Sequence, residues 1–283
     1  MTGVKLLRSK KIFNFVQNIL LAGMSLFVIY PFLWLAANSL KTREDMVNNS
    51  WSLIPRTFMW GNYPEAWEIG NIGRCFLNSL IVSVSAVLIL MAVSYLGSYA
   101  LARISFVGRN LLMILFLSTW MMPPQIILIP LFKVERMLNI SNTLLGLILP
   151  YAAGTLPFSI FVLTTFIRKI PVEIEEAAFI DGSGRLRLIG QILLPLSKPG
   201  LATVIIFAFM QCWNEFFMAL ILIQDPVLKT LTLGVLSFNG QWGQTDFTRL
   251  FAALIIISMP VILVYVIFQK QFISGLTAGA VKI

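Results

Sequence analysis

Six apolar stretches alternate with polar connections along the whole chain. They run over about Ile12–Ala37, Phe76–Ala102, Asn110–Phe132, Thr143–Ile167, Leu201–Ile223 and Leu250–Phe268. A bilayer's hydrocarbon core needs about 20 apolar residues per crossing helix. Each stretch meets that length, so the pattern predicts six transmembrane helices and an all-α integral membrane protein. The first stretch follows Lys5, Arg8, Lys10 and Lys11, as the apolar region of a secretory signal would. Its 26 residues exceed the roughly 7–15 of such a region, so it reads as an uncleaved first span.

The third and fourth stretches each carry several helix-breaking residues where a helix should continue. Pro123, Pro124 and Pro130 fall in the third, and Pro150 and Pro157, with Gly154 between them, in the fourth. Proline removes a backbone donor and crowds the preceding turn. Two readings fit: the helices break around a wet cavity or a protein-lined path, or the prolines only reflect their greater frequency in membrane helices.

Composition supports the membrane reading. Of the 283 residues, 58% are hydrophobic and 12% charged, against about 25% charged in ordinary soluble domains. There is no histidine, so the commonest general base and metal ligand is missing. Cys75 and Cys212 form no C-x-x-C, and two cysteines alone make no zinc site. No metal site and no catalytic residue is expected. The sequence contains no P-loop of the form G-x-x-x-x-G-K-[ST], so any use of ATP would have to come from another chain.

The net charge of +9 is a matter of topology more than of partners. With a cytoplasmic N-terminus, thirteen of the 21 Lys and Arg fall in inner segments and eight in outer ones. Positive charge collects on the cytoplasmic side, so both termini are expected there and no nucleic acid is implied. The expected parts are a cytoplasmic N-terminus over 1–11, a membrane domain over 12–270 and a cytoplasmic tail over 271–283. The long first outer connection, 38–75, carries Trp51, Trp60 and Trp67, which suit a segment lying at the interface.

The fifth stretch contains Trp213-Asn214-Glu215. A carboxylate within a span is expensive and marks a pathway or a partner helix. Glu215 lies late enough in the stretch for an interfacial position to be the competing reading. Aromatic faces and amides suit hydroxylated ligands, which makes Trp213, Asn214 and Glu215 candidates for a substrate pathway.

Between the fourth and fifth stretches lies a polar segment, 171–195: "PVEIEEAAFIDGSGRLRLIGQILLP". Pro171 suits a first helical residue. Glu173, Glu175 and Glu176 follow in the first turns, where negative charge complements the helix dipole. Asp181-Gly182-Ser183-Gly184 ends that helix. A second helix is expected to place Leu186, Ile189 and Leu193 on one face and to break at Pro195. Ala177 and Ala178 would let another surface come close to the backbone. The residues by themselves leave open whether the segment docks a soluble partner or is an interfacial loop with ordinary caps.

"EEAAFIDGSG" followed by "ILLPLSKPG" resembles the EAA motif of permease subunits in bacterial ATP-binding-cassette importers. Glu176, Ala177, Ala178, Gly182, Ile192, Leu194 and Pro195 stand at that motif's spacing, and Ser183 departs from the alanine common after the glycine. Asn38–Lys41, "WNEFF" at Trp213–Phe217 and "GLTAGAVK" at Gly275–Lys282 resemble the carbohydrate subgroup, the maltose-type second permease. The resemblance covers essentially the whole chain. It implies a type I importer bundle in a bacterial inner membrane, whose cytoplasmic coupling segment (Glu175, Glu176, Ala177, Ala178, Asp181, Gly182, Pro195) inserts into an ATPase. It implies a homologous second permease, two ATPases holding ATP and Mg, and an extracellular solute-binding protein; this chain would hold no cofactor. A tail over Gly275–Ile283 would reach towards the ATPases. The cargo would be a sugar or oligosaccharide, with a non-sugar solute such as glycerol 3-phosphate the alternative. A secondary transporter would need more carboxylates at mid-membrane than Glu215 supplies.

Overall fold

The computed structural model describes residues 2–238 and 245–280, with side chains described over 13–238 and 245–269. Among the described residues four helices are long and apolar enough to cross a membrane: Phe13–Ser39 within α1 (Thr2–Ser39), α4 (Ile72–Arg103), α7 (Leu144–Arg168) and Phe247–Gln269 within α14 (Phe247–Ala280). Two bent pairs bring the number to six if each is one span: Arg109–Trp120 with Pro124–Met137, bent by 97°, and Arg185–Leu196 with Lys198–Asn214, bent by 80°. The six-span reading holds on that count, with corrections to the course of the third and fifth spans.

The third span is not continuous. α5 (Arg109–Trp120) stops before the proline pair; Pro123 is extended at φ −60°, ψ 130°, and a 3-10 turn (Pro124–Ile127) leads into α6 (Leu128–Met137). A residue before proline is pushed out of the helical region, and Pro123 obeys that rule. The fourth span behaves the other way. α7 runs through both Pro150 and Pro157, and both rings are buried. Nearby hydroxyls bond back onto its carbonyls, Thr155 to Tyr151 and Ser159 to Thr155, one way membrane helices tolerate proline. The fifth span ends sooner than expected: α11 (Lys198–Asn214) stops at Glu215, and α12 (Phe217–Leu222) starts a separate turn.

The chain divides into two compact units, 1–71 with 235–256 and 72–234 with 257–283. The core of the larger unit is the α4–α7 pair. α4 buries Ser79, Ser83, Ser94 and Ser98 at helical spacing, and the Ser98 hydroxyl donates to the Ile160 carbonyl at 3.2 Å. Small residues let membrane helices approach closely where no hydrophobic effect draws them together. α11 comes close to α7 at one point. A Cβ on Gly200 would stand 2.6 Å from Phe166 Cγ, too near the ring's root for a simple rotation to relieve. Gly200→Ala is expected to destabilise by about 1–3 kcal/mol, read as a lower melting temperature of the purified protein; an unchanged temperature would mean the helices separate freely here.

In the smaller unit the connection after the first span is folded. It holds α2 (Arg43–Asn48) and α3 (Asn62–Ile69), with Trp51, Trp60 and Trp67 exposed. Its centre is Lys41, fully buried, whose ammonium donates to Asn38 Oδ1 at 2.9 Å and to the carbonyls of Asn49 and Ser52 at 2.7 Å each. Asn62 donates to the carbonyls of Ser39 and Lys41. Burial pushes the Lys41 ammonium below the ordinary lysine value, and Asp45 pulls it part of the way back. Lys41→Met strands three acceptors and is expected to cost about 3 kcal/mol or more. Faster proteolysis within 42–61 would report it; wild-type resistance would show that the lysine does not hold this loop.

Candidate functional site

α8 (Val172–Ile180) is a short helix closed at both ends by its own sequence. Pro171 sits one residue earlier than expected, as the cap, with α8 beginning at Val172. At the other end Gly182 is left-handed at φ +78°. The Ser183 amide reaches the Ala178 carbonyl at 2.9 Å and the Gly182 amide reaches Phe179 at 3.0 Å. That pair of bonds is the Schellman stop, which glycine permits without strain.

The two glutamates face opposite ways. Glu175 is buried and ion-paired with Arg103 at the end of α4. Arg103 also donates to the Ile170 carbonyl, and Arg168 reaches the Leu101 carbonyl at 3.2 Å. Ala178 is buried in a cluster with Tyr95, Tyr99, Leu163, Ile167, Leu188, Leu193 and Val204. Glu175 and Ala178 therefore seat the helix on its own bundle, which corrects the expectation that both lie on an outward docking surface. Glu176, Ala177, Asp181 and Gly182 remain exposed, as do Phe179 and Ile180, the latter at 86%.

The second helix, Arg185–Leu196, also departs from expectation. α9 (Arg185–Arg187) passes into a π-helical stretch (Leu188–Leu193) and then α10 (Leu194–Leu196). A π-turn aligns residues five apart. Leu188 and Leu193 are accordingly the fully buried pair, whereas Leu186 is 83% exposed. Pro195 does not break the helix. It is exposed and occupies an early position of the last α-turn, where its missing donor is tolerated. Ser197 ends the element: its hydroxyl donates to Leu193 and accepts from Tyr95 at 3.2 Å. α4 thus holds both arms of the hairpin, one through Arg103 and the other through Tyr95.

At the opposite end of the same unit the three pathway candidates part company. Trp213 is 2% exposed, packed between Phe76 and Phe209 at ring distances of 5.5 and 5.4 Å. Glu215 turns the chain: Tyr151 donates to its Oε2 at 2.6 Å, and the amides of Met218 and Ala219 donate to its carboxylate at 2.7 and 3.1 Å. Thr232 bonds its backbone carbonyl at 2.8 Å. Only Asn214 is exposed, its side-chain amide donating to the Met210 carbonyl at 2.8 Å.

The profile of the binding-protein-dependent transport system inner membrane component family matches residues 93–277, a range that contains both arms of the hairpin. The chain belongs to this family. A diacetylchitobiose uptake system permease protein of Streptomyces coelicolor is 37% identical over 97% of this chain and 91% of its own length. A trehalose/maltose transport system permease protein of Thermococcus litoralis is 33% identical over 92% and 93%. Among solved structures, one chain of a bacterial ABC transporter that imports the acidic polysaccharide alginate superposes with a TM-score of 0.82. It covers 94% of this chain and 98% of the other, at 22% identity, and so speaks for the fold.

The permease is therefore a multi-pass inner-membrane protein and one component of a binding-protein-dependent importer. Both of these relatives carry permease names. Sequence reading missed Arg103 and Tyr95 altogether. A basic residue closing the second span was visible, but its partner lies 72 residues further on. The expected tail, 271–283, is helical as far as Ala280; its side chains, like those of Lys5, Arg8, Lys10 and Lys11, lie outside the described residues.

Proposed function

We propose that this permease forms half of the translocation pathway of an ATP-driven importer for neutral sugars or oligosaccharides. A homologous permease supplies the other half, two cytoplasmic ATPases supply ATP and Mg, and an extracellular solute-binding protein delivers the cargo. Sugar cargo rests on the diacetylchitobiose and trehalose/maltose names of its relatives. Both termini and the α8 hairpin lie on the cytoplasmic side, which the excess of Lys and Arg there favours.

The observation that carries the coupling reading is the split of the two adjacent glutamates. Glu175 fixes α8 to the bundle, while Glu176, Ala177, Phe179 and Ile180 stay uncovered on the other side. A helix held rigidly from behind and open in front is suited to fill a groove of an ATPase, with Glu176 meeting a basic side chain there. Closure of the ATPases on ATP then moves the hairpin, and α4 with it, as a lever that turns the bundle.

Glu176→Lys, which leaves Glu175, Ala178 and the Gly182 stop untouched, tests this. Sugar uptake should fall at least about a hundredfold, and the ATPases should no longer co-purify, since an unpaired like charge in a contact costs about 3 kcal/mol or more. Wild-type uptake and co-purification would rule out α8 as the ATPase contact.

A further inference from the structure

We infer that the face of α11 carrying half-buried Phe207 and exposed Gln211 and Asn214 forms, with Trp120 and Phe158, a transit subsite for a neutral sugar ring. The inference rests on the sugar-importer reading above and places the contacts away from Trp213 and Glu215. Those two are already engaged, one inside the core and the other with Tyr151 and two backbone amides.

Three aromatic rings from three different spans meet here. Phe158 lies 4.2 Å from Phe207 and 5.3 Å from Trp120, centre to centre. Trp120 is the last residue of α5, where the third span breaks, and it is 49% exposed. The rings in each pair are tilted at 37° to one another, with Phe158 and Phe207 half-buried and Trp120 open. Sugar rings present C–H faces that pack on such platforms while their hydroxyls look for amides.

The amides are in register with the platform. α7 and α11 run antiparallel, since Tyr151 meets Glu215 and Phe158 meets Phe207. Gln211 lies between those two contacts and follows Phe207 by four residues, on the same helical face. Across from it on α7 is Gly154, exposed, with no atom within 4 Å of where its Cβ would stand. The glycine leaves open space beside the aromatic platform, across from Gln211 on the other helix.

Depth supplies the main argument. Gln211 stands roughly 20 Å along α11 from Lys198, well inside the bilayer, and its side chain is exposed. Hydrocarbon would leave both amide donors and the acceptor unmet, so this face must look onto water, a ligand or polar protein. None of the six residues is charged, which suits a neutral ligand and gives an anion nothing to pair with.

The test uses the complete importer, with its partner permease, ATPases and binding protein, in proteoliposomes loaded with ATP. Uptake is read with labelled maltose, trehalose and diacetylchitobiose beside ATP hydrolysis in the same vesicles. Gln211→Leu and Phe207→Leu should each lower sugar moved per ATP by roughly tenfold for every sugar that the wild type carries. Complex yield and binding-protein-stimulated hydrolysis should persist, and Phe207→Trp should restore uptake. Wild-type sugar-to-ATP ratios in both leucine variants would overturn the subsite. So would loss of the partner permease on purification, which would make the face a subunit interface. If the wild-type importer moves none of the three sugars, the sugar reading itself fails, whatever the variants do.

Discussion

Arg103→Leu is expected to destabilise the permease by about 3–5 kcal/mol, because it leaves the Glu175 carboxylate buried without its counter-charge. Both side chains are close to fully enclosed, at 11% and 6% exposure, so solvent cannot take over the missing charge. The melting temperature should fall on the order of 10 °C. Glu175→Leu alone should be nearly as damaging, since it strands the guanidinium. Among the described residues Arg103 would then keep the Ile170 carbonyl as its hydrogen-bond partner. The double variant Arg103→Leu with Glu175→Leu should recover most of the loss, because an apolar pair of similar volume can replace a buried ion pair. Single variants as stable as the wild type would show that the pair does not hold α8 to α4. The same three proteins separate seating from docking: Glu176 is untouched, so a well-folded double variant should still bind the ATPases.

The stop at Gly182 could be read in advance because Asp-Gly-Ser-Gly encodes a left-handed residue wherever it stands, and the structure shows φ +78° there. The facing of Glu175 and Glu176 could not. Both sit in the first turns of α8, both suit the helix dipole, and only the arrival of Arg103 from α4 distinguishes them. The π-turn was illegible for a different reason. Leu186, Ile189 and Leu193 fit α-helical spacing as well as any set, and the true buried pair, Leu188 and Leu193, has a spacing that α-helical reading discards. The proline pairs show how far context decides. Pro123-Pro124 ends a helix, whereas Pro150 and Pro157 lie inside one. The polar side chains of the spans were hard to orient. Glu215 was conspicuous as a charge, and Gln211 passed unnoticed as an uncharged amide. Yet the glutamate turns out to have partners on every side and the glutamine faces outward.

That contrast gives Glu215 a sharp expected phenotype. Glu215→Leu removes the acceptor of the Tyr151 hydroxyl and of the Met218 and Ala219 amides at once. Each stranded buried donor costs about 1–3 kcal/mol, so a loss of several kcal/mol and poor accumulation of the protein in the membrane are expected. Glu215→Gln keeps one carbonyl oxygen and most of the shape, so it should be far milder. Tyr151→Phe removes a single bond and should cost about 1 kcal/mol. If Glu215 instead served the cargo, the order would change. Glutamine would then lower sugar uptake with little effect on melting temperature, and Tyr151→Phe would leave uptake alone. Melting temperature and uptake measured side by side on the three variants therefore assign the residue. Losses that track stability place Glu215 in the turn that ends α11, where the fifth span leaves its helix and α12 begins.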